Sequence, residues 1–271
     1  MTDTLQEHAD PTLHKGEPLV EMVDVGKTYG AIRALTGINL EVNAGEVTCV
    51  LGDNGAGKST LIKIISGLHP HNEGTVKVDG QEIHFGSPRE SLAHGIATVY
   101  QDLAVVSLME VWRNFFLGSE MTSSRFPLSG LKIKEMKRIA DEELRKMGIV
   151  VKDIDQPIGT LSGGQRQCVA IARAVYFGAR VLILDEPTAA LGVKEGNAVL
   201  DMIKGLRENG VPIILISHNM PHVWEVADRI HIQRLARRAG VITPQSHTMQ
   251  EGVAIMTGAV TLEGDSTKEA S

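Results

Sequence analysis

The chain has 271 residues, 42% of them hydrophobic and 22% charged, with a formal net charge of −6. This is an ordinary globular composition, sufficient for one large domain or a core with one subdomain, and its acidic balance gives no field that would draw in nucleic acid. Cys49 and Cys168 are too few for a disulfide framework or a metal site and suit a reducing cytosol, and no apolar run approaches the ~18–20 residues of a membrane span.

Residues 1–18 are polar, lack the apolar stretch of a secretory signal and are expected to form a disordered tail, as are residues 263–271 at the other end. Between them, apolar runs alternate with helical patterns, which predicts an α/β architecture with a mainly parallel sheet. Residues 19–25 and 38–42 read as strands, and 47–51 is a short continuous apolar strand feeding a glycine loop. Residues 75–78, closed by Asp79-Gly80, predict part of an antiparallel hairpin region. Ser87-Pro-Arg-Glu90 is a capping box with proline at the first helical position, opening a short helix to His94. Residues 96–100 return as a strand. Strand signals then thin out to residue 159, and 132–147 is a charged amphipathic helix, so a helical subdomain is expected at about 103–165 within a domain of 19–262. A helix over 166–176, a strand at 181–184, a helix over 194–208, a strand at 212–217, a helix from Pro221 and a strand near 230–233 complete the pattern. There is no internal repeat.

Three motifs carry chemistry. Gly52-Asp53-Asn54-Gly55-Ala56-Gly57-Lys58-Ser59 fits G-x-x-x-x-G-K-[ST] in full, after a strand and opening a helix. Its backbone N–H groups would cradle phosphate oxygens, Lys58 would reach the β- and γ-phosphates, and the Ser59 hydroxyl would ligate Mg²⁺. Asp185 follows four apolar strand residues, at the strand end where α/β sheets bind ligands, and can hold Mg²⁺. Glu186 is placed to orient or deprotonate a water. Upstream, Leu161-Ser162-Gly163-Gly164-Gln165 contains a capping box, Ser162 with Gln165, which does not account for two glycines that weaken a first helical turn. Glycines there open backbone N–H groups to an anion.

This glycine run, upstream of a hydrophobic strand ending in two carboxylates, resembles the signature motif and Walker B of ABC-type ATPases. The resemblance spans about residues 19–232 with the motifs in family order. It implies a P-loop NTPase (RecA-like) core with an antiparallel β subdomain and an inserted α-helical signature subdomain. It also implies ATP and Mg²⁺ as cofactors, nucleotide contacts that run on to Thr60, and a second copy of the chain whose signature loop completes each site. Through it Gln101 looks like the Q-loop glutamine, a Mg²⁺ and γ-phosphate sensor. His218 looks like the switch histidine and Tyr29 like the aromatic that stacks on adenine. One departure is visible: Pro187-Thr188 is followed by Ala189-Ala-Leu-Gly192, where many members have Ser-Ala-Leu-Asp. Coupling between the two sites is in doubt on that account, and hydrolysis is not, because Glu186 is present.

Within the family, Lys27-Thr-Tyr-Gly-Ala-Ile-Arg-Ala-Leu35, Val99-Tyr-Gln-Asp-Leu103, Val111-Trp-Arg-Asn-Phe-Phe-Leu-Gly118 and Arg229-Ile-His-Ile232 resemble ATP-binding subunits of bacterial monosaccharide importers of the ribose, fructose and xylose type. Many members of that branch fuse two ATPase units in one chain; this chain has one unit, like the fructose-type members, which implies a homodimer bound to transmembrane permease subunits at the cytoplasmic face of the inner membrane, served indirectly by a solute-binding protein. Leu103, Trp112, Phe115 and Phe116 are candidates for the permease contact or, equally, for the core of the helical subdomain. Export, uptake of another solute, and a soluble ABC ATPase acting on nucleic acid or ribosomes are the rival readings. The 102–161 stretch is too short for the long coiled coil of chromosome-maintenance members.

Overall fold

In a computed structural model, residues 16–123 and 130–262 are described. The remainder of both expected tails lies outside the described residues. Gly16 and Glu17 correct the tail boundary, because Gly16 N–H donates to Ala44 O and Ala44 N–H donates to Glu17 O (3.0 and 2.9 Å). The first strand itself begins at Pro18.

Two sheets organise the chain. The first is antiparallel, in the order β2-β1-β4-β5, built from β1 (Pro18–Tyr29), β2 (Ile32–Asn43), β4 (Glu73–Val78) and β5 (Gln81–Glu82). The Asp79-Gly80 turn joins β4 to β5 as the sequence predicts. The second has the order β10-β9-β3-β8-β7-β6. Its strands are β3 (Val47–Leu51), β6 (Ile96–Val99), β7 (Val181–Asp185), β8 (Ile213–Ile216), β9 (Arg229–Arg234) and β10 (Arg237–Ile242). All neighbours in it are parallel except β9 and β10.

The parallel strands are apolar at nearly every position because both faces are covered. Pleating sends alternate side chains to opposite cores. Cys49, Leu182, Leu184, Ile213 and Leu215 join one buried cluster with the helical elements, while Val50, Val181, Ile183, Ile214 and Ile216 join the other with the antiparallel sheet. Helix α1 (Lys58–Ile65) buries Leu61, Ile62, Ile64 and Ile65 in the second cluster. Helix α2 (Pro88–Ala93) starts at Ser87, whose side chain accepts from Glu90 N–H; the Glu90 carboxylate reaches Gly86 N–H (2.8 Å), one residue short of the reciprocal bond expected of a capping box.

Between β6 and the signature run stand α3 (Val111–Phe116), α4 (Ile133–Lys146) and a 3-10 turn at Ile158–Thr160. The sequence reading anticipates α4 and misses α3. Trp112, Phe115 and Phe116 are 2%, 0% and 1% exposed, so they are core and not permease-facing groups. Helix α5 (Gly163–Tyr176) has the expected capping box, and α6 (Val193–Glu208) and α7 (Met220–Val226) follow in the predicted order.

Two further elements are absent from the sequence reading, β10 and helix α8 (Met249–Thr257). The β9–β10 turn is made by Leu235 and Ala236 with φ of 47° and 63°. These residue types give no turn signal, since that conformation is normally left to glycine or asparagine. Tertiary bonds support it: Ala236 N–H donates to Ala56 O (3.2 Å) and Thr36 N–H to Ala236 O (2.8 Å). Helix α8 did carry a local sign, a capping box formed by Thr248 and Glu251.

Candidate functional site

The carboxyl ends of four adjacent parallel strands converge on one crevice. The glycine loop leaves β3, Gln101 follows β6, Asp185 ends β7 and His218 follows β8. This is the edge at which open α/β sheets bind ligands.

The loop from Gly52 to Gly57 can close only with glycine at its ends. A Cβ at Gly52 would collide with the backbone carbonyl of Gln233. At Gly57, with φ of 103°, it would lie 2.7 Å from Ala34 O and 2.8 Å from Leu35 Cδ2. Between these ends Asp53, Asn54 and Gly55 are exposed and Ala56 is buried. Gly57 is the N-cap of α1 and supplies no side-chain hydrogen bond. The first-turn N–H groups that include Ser59 and Thr60 are therefore without a side-chain cap, the condition under which a helix start can take an anion.

Lys58 Nζ donates to Gly52 O (2.6 Å) and Asp53 O (2.9 Å). An ammonium has three donors, so these two bonds leave one uncommitted. Burial lowers the Lys58 pKa, while the charges of Glu186, Asp53 and Asp185 act against that shift. Asp185 responds in the opposite sense: burial raises its pKa, Glu186 raises it further, and Lys58 draws it down. The Lys58 ammonium thus interacts with three carboxylates, those of Glu186, Asp53 and Asp185.

Glu186 occupies a left-handed conformation, φ 50°, with its N–H donating to Ile216 O (2.9 Å) and its carbonyl accepting from Ala189 N–H (3.0 Å). Its carboxylate accepts from His218 Nδ1 at 2.8 Å. A carboxylate only accepts, so Nδ1 carries the proton and Nε2 is left for another group. The His218 side chain is 73% exposed and that of Glu186 14%, so the histidine reaches outward from a carboxylate set in the wall.

Tyr29 stands apart, at the end of β1 in the antiparallel sheet. Lys27 Nζ lies 4.9 Å from its ring centroid and the His69 ring meets it at 79° and 5.5 Å. The sequence reading quotes Lys27 only as part of a motif and does not name His69. Ser162 to Gln165 open α5, away from the glycine loop in the chain and packed on other elements. Ser162 Oγ accepts from Gln165 N–H (3.3 Å), Gln165 Oε1 accepts from Ser162 N–H (3.1 Å), and Gln165 Nε2 donates to Val150 O (3.3 Å). A Cβ at Gly163 would lie 2.8 Å from Leu191 Cδ2, and one at Gly164 2.9 Å from Glu195 Cβ. The two glycines therefore also make room for Leu191 of the segment after Glu186 and for Glu195 in the first turn of α6, a packing reason that the sequence could not give.

The family model described as ABC transporter matches residues 35–189. The chain is 48% identical over 247 residues to the fructose import ATP-binding protein of Rhizobium meliloti, covering 90% of this chain and 95% of that one. The chain belongs to the ABC transporter family. It is accordingly an ATPase of the P-loop NTPase fold. It is also 45% identical over 214 residues to the xylose/arabinose import ATP-binding protein of Sulfolobus acidocaldarius, covering 79% of this chain and 84% of that one. Among solved structures, it superposes with a TM-score of 0.68 and 27% identity on a dimeric ATP-binding cassette in a post-hydrolysis state bound to ADP and Pi, covering 84% of this chain and 100% of that one.

Proposed function

We propose that this chain is the ATP-hydrolysing subunit of an importer of monosaccharides. The observation that carries the reading is the 48% identity to a fructose import ATP-binding protein across 95% of that protein's length. In this reading the N–H groups of Gly52 to Thr60 and the Lys58 ammonium hold the phosphates, and Tyr29 stacks on adenine. Glu186 orients the attacking water and accepts its proton. Nε2 of His218, free because Nδ1 is spent on Glu186, meets the γ-phosphate.

Ser59, Gln101 and Asp185 offer a hydroxyl, an amide oxygen and one carboxylate, and Mg²⁺ takes oxygen donors of this kind together with substrate phosphates. Burial first and then the neighbouring Glu186 charge raise the Asp185 pKa, and the second of these, repulsion between two carboxylates, is what a divalent cation would offset. The ion would neutralise charge on the phosphate oxygens.

The working form is a homodimer on two permease subunits at the cytoplasmic face of the membrane, each nucleotide lying between one glycine loop and the other copy's Ser162–Gln165 run. The solved dimeric relative supports this arrangement. No helix among the described residues is long and apolar enough to cross a membrane. A groove of about 320 Å³ beside β6 and α5, lined by Tyr100, Leu103, Val105, Val169, Arg173 and Phe177, supports a docking place for the permease. Of the four apolar candidates from the sequence, Leu103 keeps this role. Removing the chain should abolish uptake of a labelled pentose or hexose, and normal uptake of every monosaccharide tested would overturn the reading.

A further inference from the structure

One histidine outside the family motifs ties the two halves of the hydrolytic wall together. His222 lies in the first turn of α7, and its Nδ1 is 2.9 Å from the Oγ1 of Thr188, two residues beyond Glu186. Its other ring nitrogen, Nε2, is 3.5 Å from Asn219 Nδ2. The orientation of that amide is fixed, because Asn219 Oδ1 is engaged in capping α7 by accepting from His222 N–H (3.3 Å). Nε2 therefore accepts, and Nδ1 carries the proton and donates to Thr188. The other side of the imidazole lies against Gly196 of α6, where a Cβ would stand 3.5 Å from Cε1.

These contacts close a ring. Glu186 is bonded to His218 at 2.8 Å, His218 precedes Asn219, Asn219 meets His222, and His222 returns to Thr188 in the turn that carries Glu186. Asn219 N–H is held in turn by Ser217 Oγ (3.1 Å). The Glu186 backbone sits in a conformation that side chains rarely adopt, φ 50°, so its carboxylate keeps one direction only if the turn is held from outside. Thr188, in the turn after β7, is 7% exposed and anchored by this bond to helix α7.

We infer that His222 is a positioning residue for hydrolysis: by holding Thr188 it sets the separation of Glu186 and His218, without itself touching nucleotide. The inference rests on the reading of Glu186 as the group that activates water. Misplacement of a reacting group by about 1 Å can cost ~10²-fold in rate, so a flexible tie of this kind is expected to matter by about tenfold.

The test compares steady-state ATPase activity and equilibrium ATP affinity of the purified full chain. His222→Phe keeps a ring beside Gly196 but cannot bond Thr188; kcat should fall about tenfold while ATP affinity stays within about twofold. His222→Asn places an amide donor near the position of Nδ1 and should restore kcat to within about twofold. Thr188→Val should match His222→Phe, and the double variant should be no worse than either, because both remove one bond. Should His222→Phe not fold, Thr188→Val reads the same bond from the other side. Wild-type kcat in both single variants, additive losses in the double, or no recovery with asparagine would overturn the inference. Glu186→Gln run alongside separates the two readings. If it turns over normally, Glu186 itself is misassigned; if it is inactive while His222→Phe is normal, only the positioning role falls.

Discussion

His218 and Glu186 lie 32 positions apart in the chain and meet at 2.8 Å, Nδ1 to Oε1, across the ends of neighbouring strands β8 and β7. The contact leaves Nε2 uncommitted by this bond and makes the carboxylate's direction depend on the histidine loop. With a side chain 73% exposed on the histidine, the pair adds little to stability, typically under about 1 kcal/mol. Its value lies in geometry.

Glu186→Gln keeps an oxygen that can accept from His218 Nδ1–H but cannot take a proton from water. ATP binding should persist, turnover should fall by roughly 10²–10⁴-fold, and an ATP-bound dimer should accumulate on size exclusion with ATP and Mg²⁺. A monomer that still hydrolyses ATP would show that another group is the base.

Asp185→Asn should separate stability from activity. The folded-state pKa of Asp185 is raised, first by burial and then by Glu186. The folded chain therefore binds this proton more tightly than the unfolded one, and the aspartate's contribution to stability declines as pH rises through the carboxylate range. At neutral pH and without nucleotide, the asparagine variant should melt higher than wild type, and the gain should shrink as pH falls. Its Mg²⁺-dependent ATPase activity should be lost. A lower melting temperature at neutral pH would contradict the electrostatic account.

Gly57→Ala and Gly55→Ala should differ although both positions have positive φ, 103° and 80°. At Gly55 the new methyl group meets nothing within 4 Å, so the cost is the left-handed backbone alone, about 1–2 kcal/mol. At Gly57 it would also press on Ala34 O and Leu35 Cδ2. Urea denaturation should show the larger loss for Gly57→Ala, together with the larger loss of ATP affinity. Equal effects would mean that the β2 contact yields easily.

If Lys58 serves the β- and γ-phosphates as proposed, Lys58→Ala should abolish ATPase activity and weaken nucleotide binding. Mixed with Ser162→Arg chains, it should regain partial activity. A heterodimer joins the glycine loop of the Ser162→Arg chain to the signature loop of the Lys58→Ala chain, giving one intact composite site. A crosslink from position 162 to the partner's glycine loop is the second readout. Heterodimers with neither activity nor crosslink would show that the loop serves its own chain.

Local chemistry sufficed for much of this protein. The apolar run 47–51 and the glycine spacing after it determine a strand, a phosphate loop and a helix, because few other sequences satisfy that turn. Four apolar residues before Asp185 put a carboxylate at a strand end, and Ser162 with Gln165 fixes where α5 begins. The proposed roles of Gln101, His218 and Tyr29 come from their place in the family's motif order, and nothing about a lone glutamine, histidine or tyrosine reveals its neighbours. Tertiary structure decided the remainder. Burial turned Trp112, Phe115 and Phe116 into core, since an aromatic run reads alike whether it faces solvent or a packed helix. The Leu235-Ala236 turn forms without turn residues because Ala56 and Thr36 bond to it from distant segments. The bond from His222 to Thr188 joins positions 34 apart, and only the strand order that sets β7 beside β8 brings them within reach.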